Sequence, residues 1–240
     1  MTTLCVIPAR ANSTRLPMKN WADLCGKSLT MHAYDAAIAS GVCDRVVISS
    51  DSRAWPTHDI IDRPAHLSLG EPDSISRTVQ HALQECEKSG TQYDLIVTLQ
   101  PATPLRSPAL IREMVQNVVK TGAKGAITMA VTVPWQWQIS GNGATNGWYP
   151  APYPRSQDCN FHAFQEINTV QIGDRASVLA GKRWGLPLLV TELPGWCTID
   201  IDTQADLEEA RDLWPALSGR LGAMRDFPWH LVRVINGQAE

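Results

Sequence analysis

The stretch LCVIPARANSTRLPMKN, residues 4–20, decides the fold. Its first five residues, LCVIP, form an uninterrupted apolar run of the length expected for a strand that is buried on both faces. This run opens directly into a polar loop that carries three cations. Because open α/β sheets bind their ligands beyond the carboxyl ends of the strands, we expect functional residues in this loop.

Similar apolar runs recur along the chain and alternate with segments of helical spacing. Further strands are predicted at 45–50, 95–99, 126–133 and 197–201, and helices at 29–40, 74–88, 108–121 and from 204 onward. Alternation of this kind over about 130 residues is typical of an α/β protein with a mostly parallel sheet and helices on both faces. A chain of 240 residues is long enough for one sizeable core, so a single domain over residues 1–240 is expected.

Residues with capping preferences mark the ends of the predicted helices. Gly41 suits the residue after the first helix, and Ser107, followed by a proline, suits the start of the third. Thr203, with Asp206 three residues later, resembles a capping box at the start of the last helix.

Composition and charge argue against several classes of protein. The chain has 21 Lys and Arg against 24 Asp and Glu, and a nucleic-acid partner is not expected because polyanion binding needs a basic face. No apolar run approaches the roughly 20 residues that span a bilayer, and no signal-peptide pattern is evident, so a cytoplasmic protein without a membrane partner is expected. The six cysteines are scattered, which favours neither a zinc site nor a redox pair.

The polar loop after the first strand is the first candidate site. Arg10, Arg15 and Lys19 lie within ten residues of one another in a chain that is acidic overall. Arginine, lysine and the backbone N–H groups of a tight loop together suit a polyphosphate. The loop matches neither the dinucleotide-binding GxGxxG pattern nor the Walker GxxxxGK[ST] pattern. A solvated loop with no ligand remains the alternative.

The second candidate site is the sequence TIDID, residues 198–202. On the predicted strand, Asp200 and Asp202 would project to the same side, because side chains alternate along a strand. Two neighbouring carboxylates repel each other unless a cation lies between them, and Mg²⁺ accepts two carboxylates together with substrate phosphates and water. The alternative is one capping residue and one solvated acid. A phosphate-binding loop elsewhere favours the metal, because Mg²⁺ commonly bridges carboxylates and a triphosphate.

The stretch from 134 to 154 differs from the rest in its density of Trp, Tyr and Gly. Its turn-prone segment SGNGATNG, residues 140–147, predicts a hairpin between short antiparallel strands. We interpret residues 134–175 as a small antiparallel arm on the α/β body. Clustered aromatic residues are typical of a subunit interface or a ligand wall, and packing of the arm onto its own core is the alternative.

Four segments, in this order, resemble the CTP-dependent cytidylyltransferases that make CMP-linked acidic sugars, namely the CMP-sialic acid synthetase family and its CMP-Kdo relatives. They are IPARANSTRLPMKN at 7–20, RPAHLSLGEPDSIS at 63–76, LQPATPLR at 99–106 and IDIDTQADLEEA at 199–210. The resemblance implies a Rossmann-like three-layer sandwich of the nucleotide-diphospho-sugar transferase type. It also implies a homodimer in which the arm crosses to the partner.

The resemblance assigns roles to individual residues of this chain. The expected triphosphate ligands are Arg10, Ser13, Arg15 and Lys19, with Asn20 near the cytosine and with Arg63 and Ser74 on the nucleoside. The expected acceptor contacts are Gln100, Arg155 and Gln157, and the expected Mg²⁺ ligands are Asp200 and Asp202. Arg10, Lys19 and Asp202 are the expected catalytic residues.

The implied reaction is transfer of CMP from CTP to an acidic acceptor, with release of pyrophosphate. The acceptor is a sialic-type acid sugar or a small phosphonate, because the likeness to the family fades around the predicted acceptor contacts. One departure lies in the loop itself, where Thr14 stands at a position that is often Lys in the family. A glycosyltransferase with a DxD metal site and a non-catalytic nucleotide-binding paralogue are the alternatives. The glycosyltransferase is disfavoured because its DxD normally lies mid-chain, whereas here only about 40 residues follow the motif.

Overall fold

The computed structural model describes residues 1–11, 13, 15–57, 59–68, 74–132, 138–140, 143–145, 163–224, 227–232, 234–235 and 238–239. The strands are β1 (Thr3–Pro8), β2 (Asp23–Leu24), β3 (Lys27–Ser28), β4 (Arg45–Ser50), β5 (Ile60–Asp62), β6 (Leu95–Thr98), β7 (Gly125–Thr132), β8 (Gln138–Ser140), β9 (Gly143–Thr145), β10 (Ala163–Asp174), β11 (Leu188–Leu193), β12 (Trp229–Val232), β13 (Val234–Ile235) and β14 (Gln238–Ala239). The α-helices are α1 (Leu29–Ser40), α2 (Ser74–Glu87), α3 (Pro108–Thr121), α4 (Arg175–Leu179) and α5 (Gln204–Ala223).

Eight of these strands form one mixed sheet in the order β12-β11-β7-β10-β6-β1-β4-β5. Strand β1 pairs in parallel with β4 and β6, β4 with β5, and β7 with β11. Strand β10 runs antiparallel between β6 and β7, and β12 runs antiparallel on the far edge. The prediction of an α/β fold with a mostly parallel sheet is confirmed.

The apolar run of β1 packs on both faces of this sheet. Cys5 and Ile7 belong to the core that faces α1 and α3, whereas Leu4 and Val6 belong to the core that faces α2. The side chains of all four residues are fully buried. Alternation along a strand that is apolar on both sides therefore produces the three layers, with helices above and below the sheet.

The predicted helix caps are present. The Ser107 hydroxyl accepts a hydrogen bond from the Leu110 N–H at the start of α3. Gly41 ends α1 in the left-handed region, with φ of 69°, where a side chain would be strained. Thr203 and Asp206 form a complete capping box at the start of α5. These local signals fix where the helices begin and end beside the site.

The predicted strand at 197–201 is wrong. A short 3-10 helix, Gly195–Cys197, stands there, and residues 198–202 are irregular. The backbone groups of this segment find partners outside any sheet ladder: Ile201 N–H bonds the Ala102 carbonyl, and Asp202 N–H bonds the Asp206 carboxylate. The parallel strand beside β7 in this half of the chain is instead β11, which the sequence pattern did not reveal.

The predicted arm at 134–175 is described only in part. Strands β8 and β9 pair antiparallel across the predicted hairpin, with Gln138 opposite Thr145. Strand β10, however, lies within the central sheet between β6 and β7, so the last part of the predicted arm belongs to the body. In the described part of the chain, no helix has the length and apolar character needed to cross a membrane.

Candidate active site

A cleft of about 280 Å³ opens where β1, β5 and β6 end and α2 begins. The predicted site residues that line it are Arg10, Ser13, Lys19, Asn20, Arg63, Ser74 and Gln100. They come from three of the four segments that resemble the cytidylyltransferases, which the sheet topology brings to one edge. The position agrees with the rule that open α/β sheets bind ligands at the carboxyl ends of their strands.

A smaller hollow of about 100 Å³ shares residues with the cleft. Arg10, Ser13 and Lys19 line both the cleft and the hollow, whereas Arg15 and Asp202 line the hollow but not the cleft. The predicted phosphate-binding loop and Asp202 therefore face the same hollow, whereas Asp200 is not among the residues that line the hollow or the cleft.

Asp202 lies directly against the cations of the loop. Its Oδ1 accepts a hydrogen bond of 2.8 Å from Lys19 Nζ, and its Oδ2 lies 2.7 Å from Nη2 of Arg15. The Arg15 side chain is 66% exposed, so this pair is held in water and stabilises the fold little, whereas the Lys19 side chain is only 16% exposed. An incoming anion can therefore replace the carboxylate on Arg15 at small cost.

Short-range bonds hold the loop in shape. The Asn20 side chain is buried, and its Nδ2 donates a 2.8 Å hydrogen bond to the Arg10 carbonyl, which ties the two ends of the loop together. Leu16 is buried and anchors the middle. The Ala11 N–H donates to Asp51 Oδ1 at 2.6 Å, which ties the loop to the segment after β4. These bonds hold the backbone at residues 10, 11 and 20, at the two ends of the loop.

Arg63 forms the opposite wall of the cleft. It is 8% exposed, and its Nη2 donates a 2.8 Å bond to the Ser49 carbonyl. The pKa of Arg63 is lowered to about 10, chiefly by burial; the charge of Asp51 opposes this shift and the nearby charge of Arg10 adds to it. The guanidinium is nevertheless charged at neutral pH, and an anionic ligand in the cleft would stabilise it.

Asp200 and Asp202 are placed by the residue between them. Ile201 is fully buried, and its N–H bonds the Ala102 carbonyl at 2.8 Å. The pKa of Asp200 is raised, because protein atoms crowd its carboxylate and because the charge of Asp202 repels it. The strand argument for this pair was wrong, but the two carboxylates do interact.

The donors present fit Mg²⁺ held in part by a substrate. No cluster of three or more His, Cys, Asp or Glu side chains able to hold a metal occurs among the described residues. Mg²⁺ is commonly bound by one or two carboxylates together with substrate phosphates and water. Asp200 and Asp202 supply two. Burial and, after it, the charge of Asp202 raise the pKa of Asp200, and a cation between the two carboxylates would offset the second effect.

Two of the predicted acceptor contacts, Arg155 and Gln157, lie outside the described residues. The sequence analysis missed three residues that shape the site: Asp51, Thr103 and Arg106. Thr103 and Arg106 stand within the segment LQPATPLR, so their place in a matched motif was the available signal.

The fold and the site together define a nucleotide-binding α/β enzyme. Cations of the first loop line the cleft and the adjoining hollow, and Asp202 lies against two of them, at the carboxyl edge of a mostly parallel sheet. The family model described as Cytidylyltransferase matches residues 4–141, more than half of the chain. The chain belongs to the cytidylyltransferase family and is a nucleotidyltransferase.

Curated relatives match over most of their length. A CMP-N,N'-diacetyllegionaminic acid synthase of Legionella pneumophila is 28% identical over 86% of this chain and 93% of its own. A pseudaminic acid cytidylyltransferase of Campylobacter jejuni is 27% identical over 89% of this chain and 97% of its own. Among solved structures, a CMP:2-keto-3-deoxy-manno-octonic acid synthetase complexed with CTP covers 90% of this chain and 99% of its own. Its TM-score is 0.64 at 19% identity, which confirms the fold.

Proposed function

We propose that the protein transfers CMP from CTP to an acidic sugar of the nonulosonic type and releases pyrophosphate. One observation carries the proposal: Arg10, Arg15 and Lys19 of the first loop line one hollow together with Asp202, and this hollow shares Arg10 and Lys19 with the cleft. Relatives of nearly the same length that act on legionaminic and pseudaminic acids support this class of acceptor.

The loop cations bind the part of CTP that becomes pyrophosphate. Arg10 lines both parts of the cleft and forms no ion pair with a described carboxylate, so its guanidinium is available to a phosphate. Arg15 and Lys19 exchange Asp202 for phosphate oxygens. Since negative charge accumulates on pyrophosphate as it leaves, cations fixed beforehand stabilise the transition state more than the bound substrate.

The remaining walls hold the nucleoside and orient the acceptor. Arg63, Ser74 and Gln100 all line the cleft. Following the family resemblance, we assign Arg63 and Ser74 to the nucleoside and Gln100 to the acceptor. The acceptor hydroxyl oxygen, held in line with the α-phosphorus, attacks it as the bond to pyrophosphate breaks, and its proton passes to a carboxylate or to water. Because no covalent enzyme intermediate forms, the protein acts by positioning and charge neutralisation.

Asp200 and Asp202 are the residues proposed to hold Mg²⁺. The metal, when bound, supplies Lewis-acid polarisation of the α-phosphate and neutralises charge. Lys19 and Arg15 both pair with Asp202, while Asp200 has no ion pair with a described cation.

A pyrophosphate-release assay tests the proposal. CTP with Mg²⁺ is paired in turn with sialic, legionaminic, pseudaminic and Kdo-type acids and with small phosphonates, and ATP, GTP and UTP serve as controls. Release that needs both CTP and an acid sugar, together with a CMP-sugar product seen by mass spectrometry, is expected. Release with phosphonates alone would overturn the acceptor class, and no release with any acid would overturn the reaction.

We also propose a homodimer in which the arm crosses to the partner. The hairpin of β8 and β9, which follows β7 in the chain, supports this. Light scattering on the intact protein should give twice the monomer mass of 26.4 kDa, and a monomer at micromolar concentration would contradict it.

A further inference from the structure

Arg106 is a buried cation beneath the loop that forms one wall of the cleft. It is 5% exposed and stands immediately before α3. One of its nitrogens, Nη2, donates to the Gln100 carbonyl, to the Thr103 carbonyl at 2.6 Å and to the Thr103 hydroxyl at 3.3 Å. A single guanidinium nitrogen therefore forms hydrogen bonds to both ends of the segment from 100 to 103.

This charge is unfavourable for the fold itself. No described carboxylate pairs with Arg106, and its Nε and Nη1 are buried without a partner among the described residues. Burial lowers its pKa to about 10. A cation just ahead of a helix N-terminus is also repelled by the helix dipole. A buried charge can often be replaced by apolar residues without loss of stability. The benefit of Arg106 therefore lies in the hydrogen bonds by which it holds the loop.

The gripped loop connects the two halves of the site. Its residues Gln100, Pro101 and Ala102 line the nucleotide cleft. The Ala102 carbonyl accepts a 2.8 Å hydrogen bond from the N–H of Ile201, which stands between the two aspartates. A displacement of this loop therefore moves the wall of the cleft and the backbone of the carboxylate pair together.

Thr103 continues the same network toward β10. Its hydroxyl lies 3.2 Å from the Gln100 carbonyl and donates a 3.0 Å bond to the Asn168 carbonyl. Thr103 is 2% exposed, so water does not replace these bonds. The loop is held from below by Arg106 and from the side by β10.

We propose that Arg106 is a positioning residue. By holding the Gln100–Ala102 loop, it fixes the position of the acceptor side of the cleft relative to Asp200 and Asp202. It touches neither substrate nor metal. The inference rests on the proposed function. It means that the buried guanidinium of Arg106 links the position of the acceptor wall to that of the residues proposed to hold the metal.

Three variants test the inference. Arg106→Met keeps the volume and removes the donors; Arg106→Lys keeps the charge and some donors. Arg112→Met is the matched control, because Arg112 also donates to backbone carbonyls, those of Ser40 and Ala39, but far from the cleft. For Arg106→Met we expect kcat to fall about 10-fold or more and the acceptor KM to rise, while the Kd for CTP changes less than about 3-fold. Arg106→Lys should recover part of kcat, and Arg112→Met should match the wild type.

A second readout needs no turnover. Titration with Mn²⁺ alone, followed by its electron paramagnetic resonance signal, reports the carboxylate pair. We expect Mn²⁺ to bind several-fold more weakly to Arg106→Met than to the wild type or to Arg112→Met. If Arg106→Met does not fold, Thr103→Val replaces it, since this change removes the hydroxyl bonds and leaves the charge; the same pattern is then expected at smaller size.

The outcomes separate the two proposals. A wild-type protein that releases no pyrophosphate with any acid overturns the proposed function. An active wild type whose Arg106→Met variant keeps kcat, acceptor KM and Mn²⁺ affinity overturns the positioning role alone. Loss of kcat, CTP binding and acceptor binding by one common factor overturns it as well, since that is the result of a smaller folded fraction.

Discussion

Lys19 Nζ donates a 2.8 Å hydrogen bond to Oδ1 of Asp202, which lies 183 residues further along the chain. Arg15 contacts the other oxygen of the same carboxylate at 2.7 Å. Asp202 therefore pairs with two of the cations that are proposed to bind the triphosphate. Binding of a metal to Asp202 would release both cations, so metal and triphosphate should strengthen each other's binding.

Asp202→Asn should have opposite effects on binding and on turnover. Without metal, CTP should bind as tightly as to the wild type or several-fold tighter, because no carboxylate competes with the triphosphate for Lys19 and Arg15. With Mg²⁺, kcat should fall by about 100-fold or more, because one proposed metal ligand is lost. Calorimetric titration in EDTA and the pyrophosphate assay measure the two effects.

Asp212→Asn, an exposed change on α5, is the control for Asp202→Asn and should leave both quantities unchanged. A near-normal rate for Asp202→Asn would contradict the metal assignment. Weaker metal-free binding of CTP would contradict the exchange of partners.

Arg15→Gln should weaken binding of CTP much more than binding of the acceptor. Arg15 lines the hollow beside Asp202 but not the larger cleft, which matches a contact to the end of the triphosphate. Loss of one charge-assisted bond at this exposed position should raise the Kd for CTP about 5- to 20-fold, and the Kd for CMP should not change.

Lys27→Gln is the matched control for Arg15→Gln. Lys27 is a cation of the same N-terminal region, but it pairs with Asp35 outside the cleft. The Kd values for CTP and CMP should both stay at the wild-type level. Equal weakening of CTP and CMP by Arg15→Gln would reject the role of Arg15 at the triphosphate.

Local patterns predicted the first half of the fold and the loop cations, whereas the family resemblance supplied most of the other residues assigned to the site. The apolar run of β1, the caps at Ser107 and Gly41 and the loop cations depend on neighbours within a few residues, and all appear where expected. Because parallel strands end at one edge, correct strands were enough to bring the loop and Gln100 into one cleft.

Features that depend on distant partners could not be predicted in this way. Residues 198–202 have the alternating pattern of a strand, but the Ile201 N–H is taken by the Ala102 carbonyl. The position of β10 between β6 and β7 depends on which strands pair across the sheet. The spacing of apolar residues within one segment does not determine this pairing. Arg106 resembles a surface arginine in sequence, and its burial is evident only when the layers are assembled.

Asp200→Asn should stabilise the metal-free protein while it impairs metal binding. The folded state raises the pKa of Asp200, so the ionised carboxylate lowers stability at pH values above the folded pKa. At pH 7 the substitution should raise Tm by on the order of 1–2 °C, a small effect because the side chain is partly in water. The gain should shrink as the pH falls toward the ordinary value of 3.8, since both states then bind the proton.

Thermal unfolding at pH 7 and at pH 4.5, in EDTA, measures this effect, with Asp212→Asn as the control. The Mn²⁺ affinity of Asp200→Asn should fall in the same preparation. A lower Tm at pH 7, or a gain that grows toward acid, would show that the fold does not disfavour the ionised form of Asp200.

Asn20→Ala should weaken both the fold and the binding of CTP. The amide of Asn20 closes the loop by its bond to the Arg10 carbonyl, and the side chain is buried. Its removal leaves that carbonyl without this donor and should cost about 1 kcal/mol of unfolding free energy. Because Arg10 then moves more freely, the Kd for CTP should rise several-fold beyond the loss in stability.

Thr30→Val provides the comparison for Asn20→Ala. The Thr30 hydroxyl donates a 2.9 Å bond to the backbone carbonyl of Asn20, on the side of the loop that faces α1. Removal of the Thr30 hydroxyl should lower the free energy of unfolding by urea by a similar amount, about 1 kcal/mol. The hydrogen bond from the Asn20 amide to the Arg10 carbonyl should remain, and the Kd for CTP should therefore be unchanged. Equal effects of the two variants on CTP binding would mean that Asn20 acts through stability alone. An unchanged Kd for Asn20→Ala would show that the hydrogen bond between Asn20 and Arg10 does not contribute to CTP binding.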